Sequence, residues 1–147
     1  MSNDGFTLWE CLCVLLIISI FGLLPIIKIE KWKEQKTIAS QLIMFERLYE
    51  KSQHSAVIEK ESSKIFADKD SQRIIFNYTL KGQKKEEFLY IEKPLLIMRE
   101  SSLELQAGTA SPSKLETFTF FDQSTQTKID YIVQLGSSKV FKYVERQ

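Results

Sequence analysis

Glu10 is the residue of this sequence whose charge lies in the most costly setting. It sits in a long apolar run, residues 6–27, in which Thr7 and Ser19 are the only other clearly polar side chains. A carboxylate at the centre of a membrane-length apolar helix costs about 2.5–3.5 kcal/mol, and less towards the end of the helix. Because a buried charge needs a partner, we expect Glu10 to serve the assembly of subunits.

Patterns that would support catalysis or metal binding are missing. The single histidine, His54, excludes a multi-histidine metal site. The two cysteines, Cys11 and Cys13, point to different faces of a helix and cannot bridge each other. There is no phosphate-binding glycine loop and no nucleophile motif. We therefore predict that the protein is not an enzyme and has no catalytic residues, no metal site and no cofactor. Acidic pairs beside lysines are typical of solvated surface: Asp68 with Asp70, and Glu86 with Glu87.

The C-terminal part holds two weaker binding patterns. Asp122, Ser124 and Thr125 offer oxygen ligands to a cation, although a polar hairpin tip explains them more simply. Edge strands carry lysine to discourage mispairing, and the net charge of +1 gives the chain no overall attraction for nucleic acid. Basic and aromatic residues are interleaved near the C-terminus, as in binders of single-stranded nucleic acid: Lys139, Phe141, Lys142, Tyr143 and Arg146. Because edge lysines and the low net charge explain this strand without a nucleic acid, direct DNA binding is not expected.

The apolar run is long enough to predict a transmembrane and assembly helix. As a helix, residues 6–27 would extend over about 33 Å. A secretory signal peptide fits poorly, because the head lacks Lys and Arg and residues 23–27 are bulky where cleavage requires small side chains. A plain single-span anchor fits the composition, but it leaves Glu10 and the Gly5-Phe6 junction unexplained.

The residues around that junction resemble the class III signal of type IV pilins and pseudopilins. The likeness consists of a short polar head, the stretch Gly5-Phe6-Thr7-Leu8-Trp9-Glu10 and a following aliphatic helix. It implies that prepilin peptidase removes a leader, residues 1–5, by cutting between Gly5 and Phe6, and that the new amine of Phe6 is methylated. It also implies that Glu10 pairs with the Phe6 amine of a neighbouring subunit, which fixes the axial register.

Two features of the run leave alternatives open. Pro25, together with Gly22, is either an ordinary proline of membrane helices or a weak point where the helix bends or melts as subunits pack. The pilin resemblance implies an extracytoplasmic C-terminal domain, and we expect that orientation. The positive-inside rule alone favours the opposite one, because lysines follow the run at positions 28, 31, 33 and 36.

The remaining residues predict an amphipathic helix followed by a β domain. Residues 28–62 continue the helix, with an apolar stripe at three- and four-residue steps or their sum: Ile38, Leu42, Phe45, Tyr49 and Ala56. Residues 63–147 are rich in β-branched and aromatic residues, and short turns between them favour antiparallel pairing. The predicted strands are 64–67, 73–80, 86–91, 95–98, 103–106, 115–121, 128–135 and 139–144.

The expected fold class is α+β and pilin-like. A long N-terminal α-helix, membrane-spanning in its first half, would pack on a C-terminal antiparallel β-sheet. Over most of its length the chain is similar to the minor pseudopilins of the Gram-positive competence apparatus. This resemblance implies a subunit that is needed for assembly of a competence type IV pilus and for uptake of external DNA during natural transformation.

The resemblance also implies partners and a location. The partners are other major and minor pilins, prepilin peptidase, the pilus assembly membrane protein and ATPase, and the membrane. The location is the cell membrane, as a single-pass protein before assembly, and the cell surface after it. Two alternatives stay open: a pseudopilin of a type II-like secretion system, and a single-pass membrane protein whose external β domain binds or senses a ligand.

Overall fold

A computed structural model describes residues 8–135 and 140–146, without the side chains of residues 20–32. The chain divides between Lys36 and Thr37 into two compact units. Over the described residues it forms one helix, α1 (Leu8–Ile58), followed by eight strands. The strands are β1 (Ser63–Asp68), β2 (Arg73–Leu80), β3 (Gln83–Tyr90), β4 (Leu95–Ile97), β5 (Ser101–Leu105), β6 (Glu116–Asp122), β7 (Thr127–Val133) and β8 (Val140–Arg146).

The described strands form two four-stranded sheets, both in the second unit and both antiparallel. Sheet A has the order β3-β2-β1-β5, and sheet B has the order β4-β6-β7-β8. β4 lies in sheet B although β3 lies in sheet A, and β5 returns to sheet A. The chain therefore crosses between the sheets before β4, before β5 and before β6.

The β2–β3 hairpin shows how local sequence sets the register of sheet A. Lys81 and Gly82 have φ values of 53° and 72°, as a two-residue type I′ turn requires. Leu80 therefore lies opposite Gln83 in the ladder. Because the turn is so short, β3 begins at Gln83 rather than at the predicted position 86.

Phe45 of α1 lies at the centre of the core of the second unit. Its side chain is 1% exposed, and the ring centroids of Phe118, Phe120 and Tyr131 in sheet B lie 5.1–5.4 Å from its own. The ring of Phe76 in sheet A lies 6.1 Å away. One face of α1 thus packs against both sheets, and this face is the predicted apolar stripe, whose members are all buried: Ile38, Leu42, Phe45, Tyr49 and Ala56.

Gln72 links the two sheets through its side-chain amide. It lies in the β1–β2 turn, with a φ value of 49°. Its Oε1 accepts a hydrogen bond from the backbone N–H of Ile97 at 2.7 Å. Its Nε2 donates to the carbonyls of Ile97 at 3.1 Å and Lys69 at 2.6 Å. Since Ile97 belongs to β4, this amide joins a turn of sheet A to an edge strand of sheet B.

The expected fold class is wrong in two respects. The described strands form two sheets rather than one, because the alternation within a strand specifies its buried face but not its neighbouring strand. A membrane-crossing helix needs about 20 consecutive apolar residues, and no helical stretch among the described residues has the length and apolar character required. This finding overturns the expected transmembrane helix at residues 6–27, the membrane-spanning half of the fold class and the single-pass membrane location.

The positions of the secondary structure elements are closer to expectation. Each of the eight predicted strands overlaps one that the structure describes. Helix α1 ends at Ile58, near the predicted end at residue 62. The carboxylate of Glu59 then accepts hydrogen bonds from the backbone N–H groups of Lys81 at 2.7 Å and Gly82 at 3.1 Å. The chain leaving α1 is thereby attached to the tip of the β2–β3 hairpin.

Candidate functional site

The first described residues of α1 expose many large apolar side chains. Every side chain from residue 8 to residue 19 is exposed, and we name this stretch the apolar segment. Exposed apolar patches of this kind mark interaction sites. The large apolar side chains in the segment are 45–80% exposed: Leu8, Trp9, Leu12, Val14, Leu15, Leu16, Ile17 and Ile18.

Glu10 is the acidic residue of the apolar segment and lies in the first turn of α1. The pairing of Glu10 with a neighbouring subunit stays a prediction. Cys11 and Cys13 in the same segment are free, exposed thiols.

The other predicted site residues fall wholly or partly outside the description. Gly5 and Phe6, the predicted cleavage junction and methylation site, lie outside the described residues. Gly22 and Pro25 lie within the range of α1, but their side chains are outside the description. The weak point at Gly22 and Pro25 stays a prediction.

A groove in the second unit lies between α1 and the end of sheet B. Its volume is about 430 Å³, within the range of about 300–1,000 Å³ that is typical of ligand pockets. We name it the β8 groove. Residues of α1, β7 and β8 line it: Phe45, Glu46, Tyr49, Glu50, Gln53, Tyr131, Val140, Phe141 and Lys142.

Tyr131 connects the two walls of the β8 groove. Its hydroxyl donates a hydrogen bond to Glu46 Oε1 at 2.6 Å. Burial, together with the neighbouring Glu46 carboxylate, raises the pKa of Tyr131. Lys142 Nζ lies 3.9 Å from Glu46 Oε1 and 5.5 Å from the centroid of the Tyr131 ring. The groove thus already holds one ammonium group between a carboxylate and an aromatic ring.

Two further residues of α1 that carry polar groups, Tyr49 and Glu50, line the β8 groove. The hydroxyl of Tyr49 is buried, and the side chain of Gln53 is its hydrogen-bonding neighbour. Burial raises the pKa of Tyr49 to about 12, and the side chain of Gln53 offsets part of that shift. The carboxylate of Glu50 is exposed and pairs with no described residue. The Glu50 carboxylate is therefore available to a ligand in the groove.

The sequence analysis does not predict the β8 groove. Glu46 and Tyr131 are 85 positions apart, so no local pattern brings them together. One local signal is present, namely two carboxylates, Glu46 and Glu50, at a spacing that places both on one helix face. Tyr49 lies between them in sequence, and the predicted apolar stripe assigns it to the core alone.

β8 forms one edge of sheet B, and every residue of this strand after Val140 is exposed. Lys142, one of the predicted basic residues, faces the β8 groove and interacts with Glu46. Arg146 is exposed at the end of the strand, and Lys139 lies outside the described residues. Lys142 and Arg146 are the two cations among the described residues of this strand, which makes a poor stripe for a phosphate backbone.

Asp122 organises the β6–β7 hairpin. Its carboxylate accepts hydrogen bonds from the backbone N–H and the hydroxyl of Ser124 at 2.8 and 2.6 Å. It also accepts one from the hydroxyl of Thr125 at 2.6 Å. Burial alone would raise the pKa of Asp122, but these hydrogen bonds outweigh it and hold the pKa below its ordinary value. The proposed cation ligands are thus one another's partners in a hairpin tip.

The hydrogen bonds to Asp122 should make stability depend on pH. The pKa of Asp122 is lower in the folded than in the unfolded state. Its contribution is therefore complete above about pH 5 and is lost as the pH falls through the folded-state pKa. We expect Asp122→Asn to lower the free energy of unfolding by about 1–2 kcal/mol near pH 7 and by less near pH 3. Urea unfolding followed by circular dichroism measures both differences.

Asp70→Asn is the control for this experiment. Asp70 is an exposed aspartate in the β1–β2 turn, and its replacement should change stability by no more than about 0.5 kcal/mol. A loss for Asp122→Asn that is equally large near pH 3 and near pH 7 would contradict the role of the ionised carboxylate.

The other acidic residues make surface contacts. Asp68 accepts a hydrogen bond from the backbone N–H of Asp70 at 3.0 Å, and Glu87 Oε1 lies 2.5 Å from Lys51 Nζ. Within residues 8–135 and 140–146, no group of three or more His, Cys, Asp or Glu side chains could hold a metal ion.

Comparison of the chain with known protein families, curated proteins and solved structures finds no match.

Proposed function

We propose that this chain is a minor subunit of a filament of the type IV pilin and pseudopilin kind. The filament would take up external DNA during natural transformation. The apolar segment is the observation that carries the proposal, because it presents eight large apolar side chains to solvent on one helical stretch. In the filament, the apolar segments of neighbouring subunits cover one another, and the second unit supplies a folded β domain.

The energetics of burial support assembly. Burying one Leu or Ile side chain contributes about 1.5–3 kcal/mol, so mutual burial of several such residues can offset the entropy that association costs. Processing after Gly5 would create an amine on Phe6, and Glu10 would pair with that amine in a neighbouring subunit. A charge pair inside an apolar interface favours a single axial register, since any other register leaves a charge unpartnered.

Two acidic substitutions in the apolar segment test the proposal. In cells of the source organism, Leu15→Asp combined with Ile18→Asp should reduce incorporation into isolated filaments, and the frequency of transformation, by about a hundredfold or more. Both substitutions place a charge in the interface where a residue contributes about 1.5–3 kcal/mol. Immunoblots of the filament fraction and counts of transformants measure the two losses. Mass spectrometry of wild-type filaments should find a chain that begins at N-methylated Phe6.

The matched control replaces two exposed leucines of the second unit. Leu115 and Leu135 are 63% and 56% exposed, so Leu115→Asp with Leu135→Asp adds the same charge outside the apolar segment. This control should retain incorporation and transformation. An intact Met1 on the mature chain, or equal behaviour of the two double variants, would refute the proposal. Loss of protein secretion with normal transformation would instead identify a secretion-system pseudopilin.

A further inference from the structure

The β8 groove has the composition of a site for an organic cation. Aromatic rings attract cations to their faces, and four rings line the groove: Phe45, Tyr49, Tyr131 and Phe141. The carboxylates of Glu46 and Glu50 oppose the single ammonium of Lys142, so the lining carries an excess of negative charge. Because Glu50 pairs with no described residue, that excess is not neutralised within the described chain.

Tyr49 contributes a buried ring to the wall of the groove. Its side chain is 3% exposed and lines the groove. Its hydroxyl is buried and has the side chain of Gln53 as its hydrogen-bonding neighbour. The ring of Tyr49 is therefore the part of this residue that a cation in the groove would meet.

Lys142 shows which cation the groove accommodates. Its ammonium group lies 5.5 Å from the centroid of the Tyr131 ring and 3.9 Å from Glu46 Oε1. The side chain of Lys142 is 41% exposed, so it can leave this position for solvent at little cost. An incoming alkylammonium group would find the same ring and the same carboxylate.

The edge position of β8 indicates what kind of molecule would carry an ammonium group into the groove. As an edge strand, β8 has backbone N–H and C=O groups on its outer side that pair with no described strand, and extended segments of other proteins bind such edges. We propose that the β8 groove binds the lysine side chain of an extended segment of a partner protein, which takes the position held by Lys142. The site is independent of filament formation, so failure of either test leaves the other proposal standing.

Fluorine NMR of the full chain labelled with 3-fluorotyrosine tests the site. Titration with Nα-acetyl-lysine methylamide should shift the Tyr131 and Tyr49 resonances and saturate. The norleucine analogue, which lacks the ammonium group, should bind about fivefold more weakly or worse, because cation–π and ion-pair contributions are lost. Substitution of each tyrosine by phenylalanine assigns the resonances, since the chain contains five tyrosines.

Two variants should change the affinity for the lysine probe in opposite directions. Glu50→Gln should weaken binding of the lysine probe about threefold, because it removes the carboxylate that has no described partner. Lys142→Met should tighten binding about threefold, because it removes the internal competitor and its positive charge. Glu104→Gln and Lys128→Met make the same charge changes away from the groove, where these residues pair with Lys64 and Asp130, and should leave the affinity unchanged.

The outcomes separate the alternatives. Saturable binding with opposite effects of Glu50→Gln and Lys142→Met supports the proposal. No resonance shift up to the solubility limit of the probe, or equal affinity for the norleucine analogue, overturns it. Tighter binding of cadaverine than of the lysine probe overturns the assignment to a protein side chain in favour of a free diamine. If Lys142→Met loses the dispersed spectrum of the folded chain, Lys142→Gln replaces it.

Discussion

Phe45→Ala should lower the free energy of unfolding of the chain by about 3–5 kcal/mol. The ring is 1% exposed and touches rings of both sheets. Its removal leaves a cavity where α1, sheet A and sheet B meet. The surrounding rings are anchored in different elements, so they cannot all move to fill it. Urea unfolding of the full chain, followed by circular dichroism, measures the loss.

Phe66→Ala is the matched control for Phe45→Ala. Phe66 lies on the solvent-facing side of β1 and is 38% exposed, so the same truncation should cost no more than about 1 kcal/mol. Equal losses for the two variants would show that Phe45 does not have the central packing role described for it.

Gln72→Ala should cost about 2–4 kcal/mol of unfolding free energy. The substitution removes every side-chain hydrogen bond of Gln72 and leaves the N–H and C=O of Ile97 without this partner. Each buried group that loses its partner costs about 1–3 kcal/mol. A positive φ value strains alanine and glutamine to a similar extent. The difference in unfolding free energy between the two proteins therefore measures the contribution of the glutamine side chain. Thermal and urea unfolding of the full chain measure it.

Gln126→Ala is the corresponding control, because Gln126 also lies in a hairpin turn with a positive φ value, 53°. Its Nε2 donates one hydrogen bond, to Gln123 O at 2.9 Å, within the same exposed turn. We expect Gln126→Ala to cost no more than about 1 kcal/mol. A loss as large as that of Gln72→Ala would mean that the hydrogen bonds between Gln72 and Ile97 do not contribute to the unfolding free energy.

Local pattern was sufficient to place the elements of the second unit. The apolar stripe that contains Phe45 predicts the buried face of α1, because helical residues three and four positions apart share a face. Strand positions follow from runs of β-branched and aromatic residues between turn residues. The error at the start of β3 comes from Lys81 and Gly82, whose two-residue turn is shorter than the polar stretch around it suggests.

Contacts between residues that are far apart in the sequence could not be predicted from local pattern. The pairing of β1 with β5 rather than with β4 depends on how the strands bury their apolar faces together, and alternation within one strand does not encode its partner. The link from Gln72 to Ile97 and the contact of Tyr131 with Glu46 join residues that are 25 and 85 positions apart. Nothing about Gln72 or Glu46 in the linear sequence distinguishes it from other polar residues.

The exchange of β4 and β5 between the sheets has a consequence for any attempt to divide the second unit. Sheet A takes β1, β2, β3 and β5 from the chain, and sheet B takes β4, β6, β7 and β8. No single cut of the polypeptide yields a fragment with all strands of one sheet and none of the other. Neither sheet can therefore be excised, fused to another protein or duplicated as one contiguous stretch of sequence.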